Sequence, residues 1–204
     1  MPLWRPGKTV RAERSSQRLP PGQKMVKGLP VLHEGEVPPF DPATWRLRLF
    51  GACDLPMELS WDSFALLPQT QTRQDFHCVT TWSRFDCLWT GVSVREVLAL
   101  CQPRPSCTHV LLHAWDGFGY TTNLSLEDFS RPENVLATQL DGEPLSPDHG
   151  GPMRFVVHHL YAWKSCKWLG GIEFLEEDRR GYWEDNGYHN RADPWLEERY
   201  SYQE

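Results

Sequence analysis

The residue best suited to chemistry in this chain is Cys78. It stands in the sequence FHCVTTW, where apolar and aromatic neighbours can hold its side chain rigidly. A thiolate is a soft, strongly donating ligand for a redox metal, and a single thiolate leaves other coordination positions open. Cys78 could also be a small buried core residue, or a nucleophile activated by a histidine. Taken alone, Cys78 does not decide between these three roles.

A second segment, HGGPMRFVVHHLYAWKSCKWLGGIEF, concentrates positive charge in a chain whose formal net charge is −6. Arg154, Lys164 and Lys167 fall within fourteen residues of one another. The glycine pairs 150–151 and 170–171 bracket them and allow close approach of the backbone to a ligand. A guanidinium fork with ammonium groups suits a phosphate. Each cation could instead sit on a solvated surface, but as a set they predict an anion site.

The order of motifs around Cys78 resembles the metal-cysteine segment of the sulfite-oxidase superfamily. Trp82-Ser83 and then Trp89-Thr90-Gly91 follow the cysteine and lead into a helix closed by Pro103. The pattern is most similar to the subgroup that includes the methionine sulfoxide reductase catalytic subunit, and it resumes in the basic segment. The resemblance covers the chain from about Leu32 onward. It implies an α+β, sulfite-oxidase-type molybdopterin-binding domain with mixed β-sheets, short helices and many loops.

The same resemblance implies molybdenum and molybdopterin (Mo-MPT) as cofactors, with Cys78 as the metal ligand. The cofactor-binding residues that it implies are His33, His113, His149, Arg154, Lys164, Ser165, Cys166 and Lys167. His33, in VLHEGEVP, resembles the histidine of an Arg-Asn-His-x-x-Val-Pro segment, although the Arg-Asn pair is missing here. His149 stands where the sulfoxide reductase has an asparagine. The family binds its cofactor largely through the backbone at positions 165–167.

The aromatic stretch GYWEDNGYHNRADPW, with Tyr188 and His189, is a candidate lining for the substrate channel and supplies the expected catalytic residues besides Cys78. It could equally be a segment whose aromatic side chains pack over the hydrophobic core and cover it. The ten tryptophans leave the same choice open, since they suit either a core or the walls of a pocket for a flat heterocycle.

The implied reaction is oxygen-atom transfer, and we expect a small S-oxide or N-oxide as the substrate. Sulfite oxidases have an anion-binding arginine five residues after the metal cysteine, but Ser83 stands at that position here. Arg84 is one residue later, and neighbouring side chains of a strand point to opposite faces. Sulfite-type oxidase activity and a non-catalytic molybdopterin-binding carrier remain as alternatives.

Two further classes compete with this interpretation. A zinc protein could use His77, Cys78 and Cys87, but their spacing matches no common zinc pattern. A cysteine hydrolase built on Cys78 and a distant histidine would leave the basic, glycine-bracketed segment unexplained.

No haem motif, iron–sulfur cysteine spacing or dinucleotide fingerprint occurs in the sequence. We therefore expect a separate electron donor or acceptor protein, a small-molecule substrate and a monomeric enzyme.

Length, charge and composition set broader limits. We expect an extended N-terminal arm over residues 1–28 and one domain over residues 29–204. The acidic charge gives no support for nucleic-acid binding, and no stretch has the roughly 20 apolar residues of a membrane span. The N-terminus has neither an apolar secretory region nor a twin-arginine pair, which predicts a cytoplasmic location without membrane insertion. The six cysteines form no CxxC pair, consistent with reduced thiols.

Periodicity and capping signals predict the elements that must position these residues. Strands are expected at Trp45–Phe50, His109–Ala114, Arg154–Tyr161 and GGIEFLEE, with another in DFHCVTTW. Helices are expected after Ser60, over Ser125–Phe129, and after a capping box formed by Ser93 and Glu96.

Overall fold

Mixed sheets and short helices make up residues 18–204, the part of the chain that the computed structural model describes. The strands are β1 (Lys24–Met25), β2 (Arg46–Gly51), β3 (Met57–Ser60), β4 (Gln69–His77), β5 (Trp82–Ser93), β6 (His109–Ala114), β7 (Thr121–Ser125), β8 (Val135–Leu140), β9 (Glu143–Pro144), β10 (Arg154–Val156) and β11 (Leu169–Leu175). The helices are α1 (Trp61–Ala65), α2 (Val94–Cys101), α3 (Leu126–Phe129) and α4 (Tyr182–Asp185). The expected α+β class is confirmed. Of the expected N-terminal arm, residues 1–17 lie outside the described residues.

Within residues 18–204 the strands form a six-stranded and a five-stranded sheet. The first has the order β1-β5-β8-β10, with β4 also on β5 and β9 also on β8. The second has the order β3-β2-β11-β6-β7. Strand β5 is central to the first sheet, because β1 and β4 flank its start while β8 pairs with its second half. The turn between β4 and β5, which carries Cys78, is therefore anchored on both sides.

The main core fills the space between the two sheets. Strand β2 alternates as its sequence predicts, with Leu47 and Leu49 fully buried and Arg46 and Arg48 exposed. These leucines pack in one cluster with Phe155 and other residues of the first sheet. The opposite face of the first sheet carries a second cluster that includes Phe76 and Trp89. Burial of large apolar side chains on both faces makes this sheet a rigid support for whatever its turns carry.

The helix starts follow the sequence signals, with one correction. Ser60 caps α1 by accepting a hydrogen bond from the Ser63 amide at 3.2 Å, as expected. Helix α2 begins after Ser93, but the Ser93 hydroxyl accepts from the Arg95 amide at 3.3 Å. The predicted capping box of Ser93 and Glu96 is therefore wrong. The Ser93 hydroxyl bonds the second amide of the helix, at Arg95, and not the third, at Glu96.

The strand expected over Arg154–Tyr161 is also wrong in length, since β10 ends at Val156. The hydroxyl of Ser165 takes both backbone groups of the next residue, accepting from the Val157 amide at 3.1 Å and donating to the Val157 carbonyl at 3.2 Å. The Ser165 side chain thus takes the place of a neighbouring strand as the hydrogen-bond partner of Val157, and the chain leaves the sheet there.

A buried ion pair joins α4 to the segment that follows β10. Lys164 and Glu184 are both fully buried, with 2.7 Å between Nζ and Oε1. The Lys164 ammonium also donates to the backbone carbonyl of Asn123 at 2.9 Å and to its side-chain oxygen at 2.8 Å. Glu184 accepts from the Trp163 indole at 2.8 Å and from the Thr122 hydroxyl at 3.0 Å. These polar groups fix Trp163 in the wall of the pocket described below.

We expect Lys164→Met to lower the free energy of unfolding by about 3 kcal/mol, because it leaves the Glu184 carboxylate buried without its counter-charge. Urea unfolding measures the change. Lys164→Met combined with Glu184→Gln should recover part of the loss, and Lys24→Met, at an exposed position, serves as the control. A loss below about 1 kcal/mol in Lys164→Met would contradict this role for the pair.

Candidate active site

Cys78 lies at the tip of the β4–β5 hairpin, in the turn formed by residues 78–81. Its amide donates to the Trp82 carbonyl at 2.9 Å, and its carbonyl accepts from the Thr81 amide at 3.0 Å. Thr81 has φ 73°, which closes the turn. The Thr80 hydroxyl donates to the Cys78 sulfur at 3.1 Å. Burial raises the pKa of the Cys78 thiol, and the hydrogen bonds from Thr80 counteract this in part.

The Cys78 side chain opens into a pocket of about 310 Å³. That volume lies within the range of small-molecule and cofactor sites, which begin at roughly 300 Å³. Four tryptophans line it: Trp82, Trp163, Trp168 and Trp183. Others, such as Trp45 and Trp89, are fully buried core residues. Both uses of tryptophan that the sequence left open are therefore present.

Arg154, on β10, brings a buried positive charge to this pocket. Its side chain is 4% exposed, and its two terminal nitrogens donate to the carbonyls of His149 at 3.0 Å and Ser165 at 2.9 Å. Its Nε has no hydrogen-bond partner among the described residues, and no described carboxylate forms an ion pair with it. Burial lowers the pKa of Arg154 to about 10. The guanidinium is still charged at neutral pH, and it has no ion-pair partner among the described residues.

Lys167 and His149 extend this positive region. The Lys167 ammonium donates to the backbone carbonyls of Leu32 at 2.9 Å and Asp148 at 2.6 Å. Burial, and then the charge of Arg154, lower the pKa of Lys167 to about 7. Burial and the charges of Lys167 and Arg154 likewise lower the pKa of His149. Gly150 has φ 101°, and a Cβ there would lie 3.0 Å from the Lys167 Cβ, so glycine allows the turn to lie against Lys167.

The pocket brings together most of the side chains singled out from the sequence. Those lining it are His33, Cys78, His149, Arg154, Ser165, Lys167 and Tyr188. Four others do not line it: His113, Lys164, Cys166 and His189.

Each of these four has partners elsewhere. His113 faces Glu173 on β11, with 2.9 Å between Nε2 and Oε2. Lys164 lies behind the wall in its ion pair. Cys166 is fully buried in the main core. His189 accepts from the amides of Arg191 and Ala192 at 3.1 and 3.2 Å.

Sequence reasoning did not single out Asp116, which also lines the pocket. Its Oδ1 accepts from the amides of Phe118 at 3.1 Å and Gly119 at 2.8 Å. Its Oδ2 is buried and has no hydrogen-bond partner among the described residues. The Asp-Gly pair in WDGFG signals such a turn, but nothing in the sequence indicates that the turn faces the pocket.

The aromatic tail contributes Tyr188 to the pocket. Its ring meets Trp163 and Trp183 edge-on, with centroids 5.2 and 5.1 Å apart. Burial, and then the neighbouring Tyr200, raise the pKa of Tyr188, so its hydroxyl keeps its proton at neutral pH. No described residue hydrogen-bonds this hydroxyl, which leaves it available to a ligand.

The two other chemical classes find little support in this geometry. No group of three or more His, Cys, Asp or Glu side chains in residues 18–204 could hold a metal ion, which disfavours a zinc site. Among these residues, Thr80 is the hydrogen-bond partner of the Cys78 sulfur, and His77 faces Ser83 instead. A hydrolase would need a histidine base at that sulfur.

Residues 34–183 match the family described as "Oxidoreductase molybdopterin binding domain". The chain belongs to this family. It is therefore a molybdopterin-dependent oxidoreductase whose cofactor is molybdenum–molybdopterin. The resemblance stated from the sequence is confirmed.

Similar proteins agree with this family assignment. The chain is 44% identical to the uncharacterized oxidoreductase YuiH of Bacillus subtilis, over 96% of this chain and 98% of that protein. It is 26% identical to the protein-methionine-sulfoxide reductase catalytic subunit MsrP of Campylobacter jejuni, over 71% of this chain and 54% of that one. It is 25% identical to mouse mitochondrial sulfite oxidase, over 92% and 40% respectively. The chain thus spans about half or less of these two characterized relatives.

The fold agrees with a solved structure. The sulfane dehydrogenase SoxCD of Paracoccus pantotrophus matches with a TM-score of 0.65 at 17% identity, over 78% of this chain and 46% of that one. This likeness shows the shared fold of mixed sheets with few short helices.

The pocket fits the cofactor on its own chemistry. Arg154, buried with no ion-pair partner among the described residues, suits the pterin phosphate. The Asp116 Oδ2 oxygen, likewise without a described partner, can accept from an N–H group of a heterocycle. Tryptophan faces suit a flat ring. Arg154, Lys167 and Asp116 would hold the organic part, with Cys78 as the predicted metal ligand.

Outside the site, no helix in residues 18–204 is long and apolar enough to cross a membrane.

We expect the cofactor-free protein to bind sulfate more tightly as the pH falls from 8 to 6. Sulfate keeps its charge across this range, whereas Lys167 gains a proton as the pH drops through its pKa of about 7. One added charge-assisted hydrogen bond corresponds to roughly tenfold in affinity, which isothermal titration calorimetry can measure. Lys167→Met should bind weakly with a flat pH profile, while Lys24→Met should follow the wild type. A pH-independent affinity for sulfate in the wild type would refute the assignment of Lys167 to the anion site.

Proposed function

We propose that this chain catalyses oxygen-atom transfer and reduces a small S-oxide or N-oxide. The observation that carries the proposal is a cysteine in a hydrogen-bonded turn, facing an aromatic pocket whose buried Arg154 has no ion-pair partner among the described residues. When bound, molybdenum–molybdopterin supplies the two-electron redox chemistry. The chain's own residues orient that group, shape the substrate space and hold a proton.

The charges of the described pocket favour a substrate that is not an anion. Ser83 is fully buried and bonds to His77, so it does not line the pocket. Arg84, its neighbour on β5, forms an ion pair with Asp141. Strand β5 therefore brings no cation to the pocket. Among the described lining residues, the arginine is Arg154 and the lysine is Lys167. The cofactor phosphate would bind both of them, which leaves no cation for an anionic substrate.

Tyr188 is suited to hold the proton that the reaction needs. Its hydroxyl is protonated at neutral pH and has no described partner, so it can donate to the oxygen of a bound S-oxide or N-oxide. Trp163 and Trp183 pack against its ring and would contact the apolar substituents of such a substrate. The catalytic role of His189 stays a prediction, although its packing suits the positioning of the tail.

The net reaction consumes two electrons and two protons and converts the oxide into a sulfide or amine plus water. A separate donor protein would deliver the electrons, because the sequence has no haem, iron–sulfur or dinucleotide motif. The monomeric state and the cytoplasmic location are part of the same proposal.

The first test is elemental analysis of protein from a host that makes the cofactor, together with fluorescence of the oxidised pterin. We expect molybdenum and pterin near one per chain. Cofactor without turnover on any S-oxide, N-oxide or sulfite would favour the carrier alternative, and zinc or no metal would contradict the proposal.

Cys78→Ser should lower turnover by more than about 100-fold while the protein stays folded, because the hydroxyl replaces a strongly donating thiolate. Steady-state kinetics and circular dichroism measure the two properties. Cys87→Ser, at a buried cysteine outside the pocket, is the matched control. Unchanged turnover in a Cys78→Ser protein that holds the metal would exclude Cys78 as the ligand.

Substrate preference gives a third test. With a reduced dye as donor, dimethyl sulfoxide, methionine sulfoxide and trimethylamine N-oxide should be reduced, and sulfite should be oxidised much more slowly. Tyr188→Phe should lower kcat on the oxides roughly 100-fold, the effect of a lost proton donor, and Tyr202→Phe, exposed on the surface, should have no effect. Faster turnover of sulfite than of every oxide would reverse the proposed direction.

A further inference from the structure

The turn that carries Cys78 is held from outside the hairpin at three of its carbonyl groups. The Cys78 carbonyl accepts from Gln23 Nε2 at 3.0 Å. The Val79 carbonyl accepts from Arg199 Nη1 at 2.5 Å, and the Thr81 carbonyl accepts from the Lys24 amide at 2.8 Å. The hairpin alone does not supply these donors, so segments far away in sequence define the shape of the turn.

Gln23 holds this turn through both ends of its amide. While Nε2 donates to the Cys78 carbonyl, Oε1 accepts from the Ser83 hydroxyl at 3.3 Å. That hydroxyl lies 2.8 Å from His77 Nδ1. The Gln23 amide therefore connects residues on both sides of the turn, from the end of β4 to the start of β5.

The surroundings fix the orientation of this amide. Gln23 is 7% exposed, and the Val26 amide donates to the Ser83 carbonyl at 2.9 Å, which holds β1 against β5. A flipped amide would aim its NH₂ group at the Ser83 hydroxyl and its oxygen at the Cys78 carbonyl, leaving two buried acceptors face to face. Gln23 does not line the pocket and cannot touch a substrate there.

We propose that Gln23 is a positioning residue for the Cys78 sulfur, holding the turn in one shape before any metal binds. This rests on the proposed role of Cys78 as the metal ligand. Buried hydrogen bonds to a ligand's own backbone restrict the directions from which its sulfur can approach a metal. With the Gln23 amide removed, the Cys78 carbonyl keeps its bond from Thr81 but loses its outside anchor, and the turn samples more conformations.

The test compares Gln23→Met, just before β1, with Gln71→Met on β4 of the same sheet, two substitutions of similar shape. Gln71 is exposed on β4 and donates to the Thr90 hydroxyl at 3.2 Å, away from the turn. The first measurement is the rate at which iodoacetamide alkylates Cys78 in cofactor-free protein, resolved by peptide mass spectrometry. Cys87 and Cys166, both fully buried, are internal references.

In Gln23→Met we expect Cys78 to be alkylated about fivefold faster, the effect of one lost hydrogen bond on local opening. Rates at Cys87 and Cys166, and all rates in Gln71→Met, should stay within about twofold of wild type. In loaded enzyme, kcat should fall several-fold with little change in KM, and the thiolate-to-metal absorption band should shift. A wild-type rate of Cys78 alkylation in Gln23→Met would overturn the proposal, and so would an unshifted band in loaded enzyme.

Two features of the design separate failure of this proposal from misfolding and from failure of the proposed function. Should Gln23→Met fail to fold, Gln23→Asn shortens the amide by one methylene and should raise Cys78 alkylation in the same direction; an unchanged rate there would also overturn the proposal. The alkylation measurement needs no cofactor, so it tests Gln23 even if wild-type protein holds no molybdenum. Failure of the proposed function would instead appear in wild-type metal content and in Cys78→Ser.

Discussion

A guanidinium buried without a carboxylate partner is costly in a folded protein, and among the described residues Arg154 has no such partner. Two backbone carbonyls, from His149 and Ser165, accept its hydrogen bonds and aim it at the pocket. These carbonyls belong to the two turns that line the anion side of the pocket. Arg154 therefore connects β10 to the turn that ends at Gly150 and to the residues after Tyr161. The arrangement of these three elements depends on one positive charge that requires an anion. In the proposed site, the cofactor phosphate would meet that requirement.

The opposite side of the pocket depends on a different constraint, the satisfaction of backbone carbonyls at a tight turn. A hairpin tip cannot bond all of its own carbonyl groups, and each one left unpaired away from water is unfavourable. Here residues 23 and 24 and Arg199 provide the donors. The cysteine thus sits on a turn that is braced from both ends of the described chain, which suits the proposed role of Cys78 as a metal ligand.

Much of the fold could be predicted because local signals decide it. The alternation of Leu47 and Leu49 with arginines identified β2, and serine caps located α1 and α3. Predictions failed where the backbone found a hydrogen-bond partner other than the expected one, as at the Ser93 cap, which bonds the Arg95 amide. Ser165, eight residues further along the chain, takes both backbone groups of Val157 and ends β10 early, because only the folded turn brings its hydroxyl to Val157.

The candidate site divides in the same way. The order of motifs was enough to indicate the family and the cofactor through a resemblance, and it singled out Cys78 and Arg154 as candidate site residues. Spacing could not tell that Lys164 points into an ion pair with Glu184 while Lys167 faces the pocket. Nor could it show that Asp116 and Gln23 lie next to the site. These placements arise from pairing between segments separated by tens of residues, so only the tertiary structure decides them.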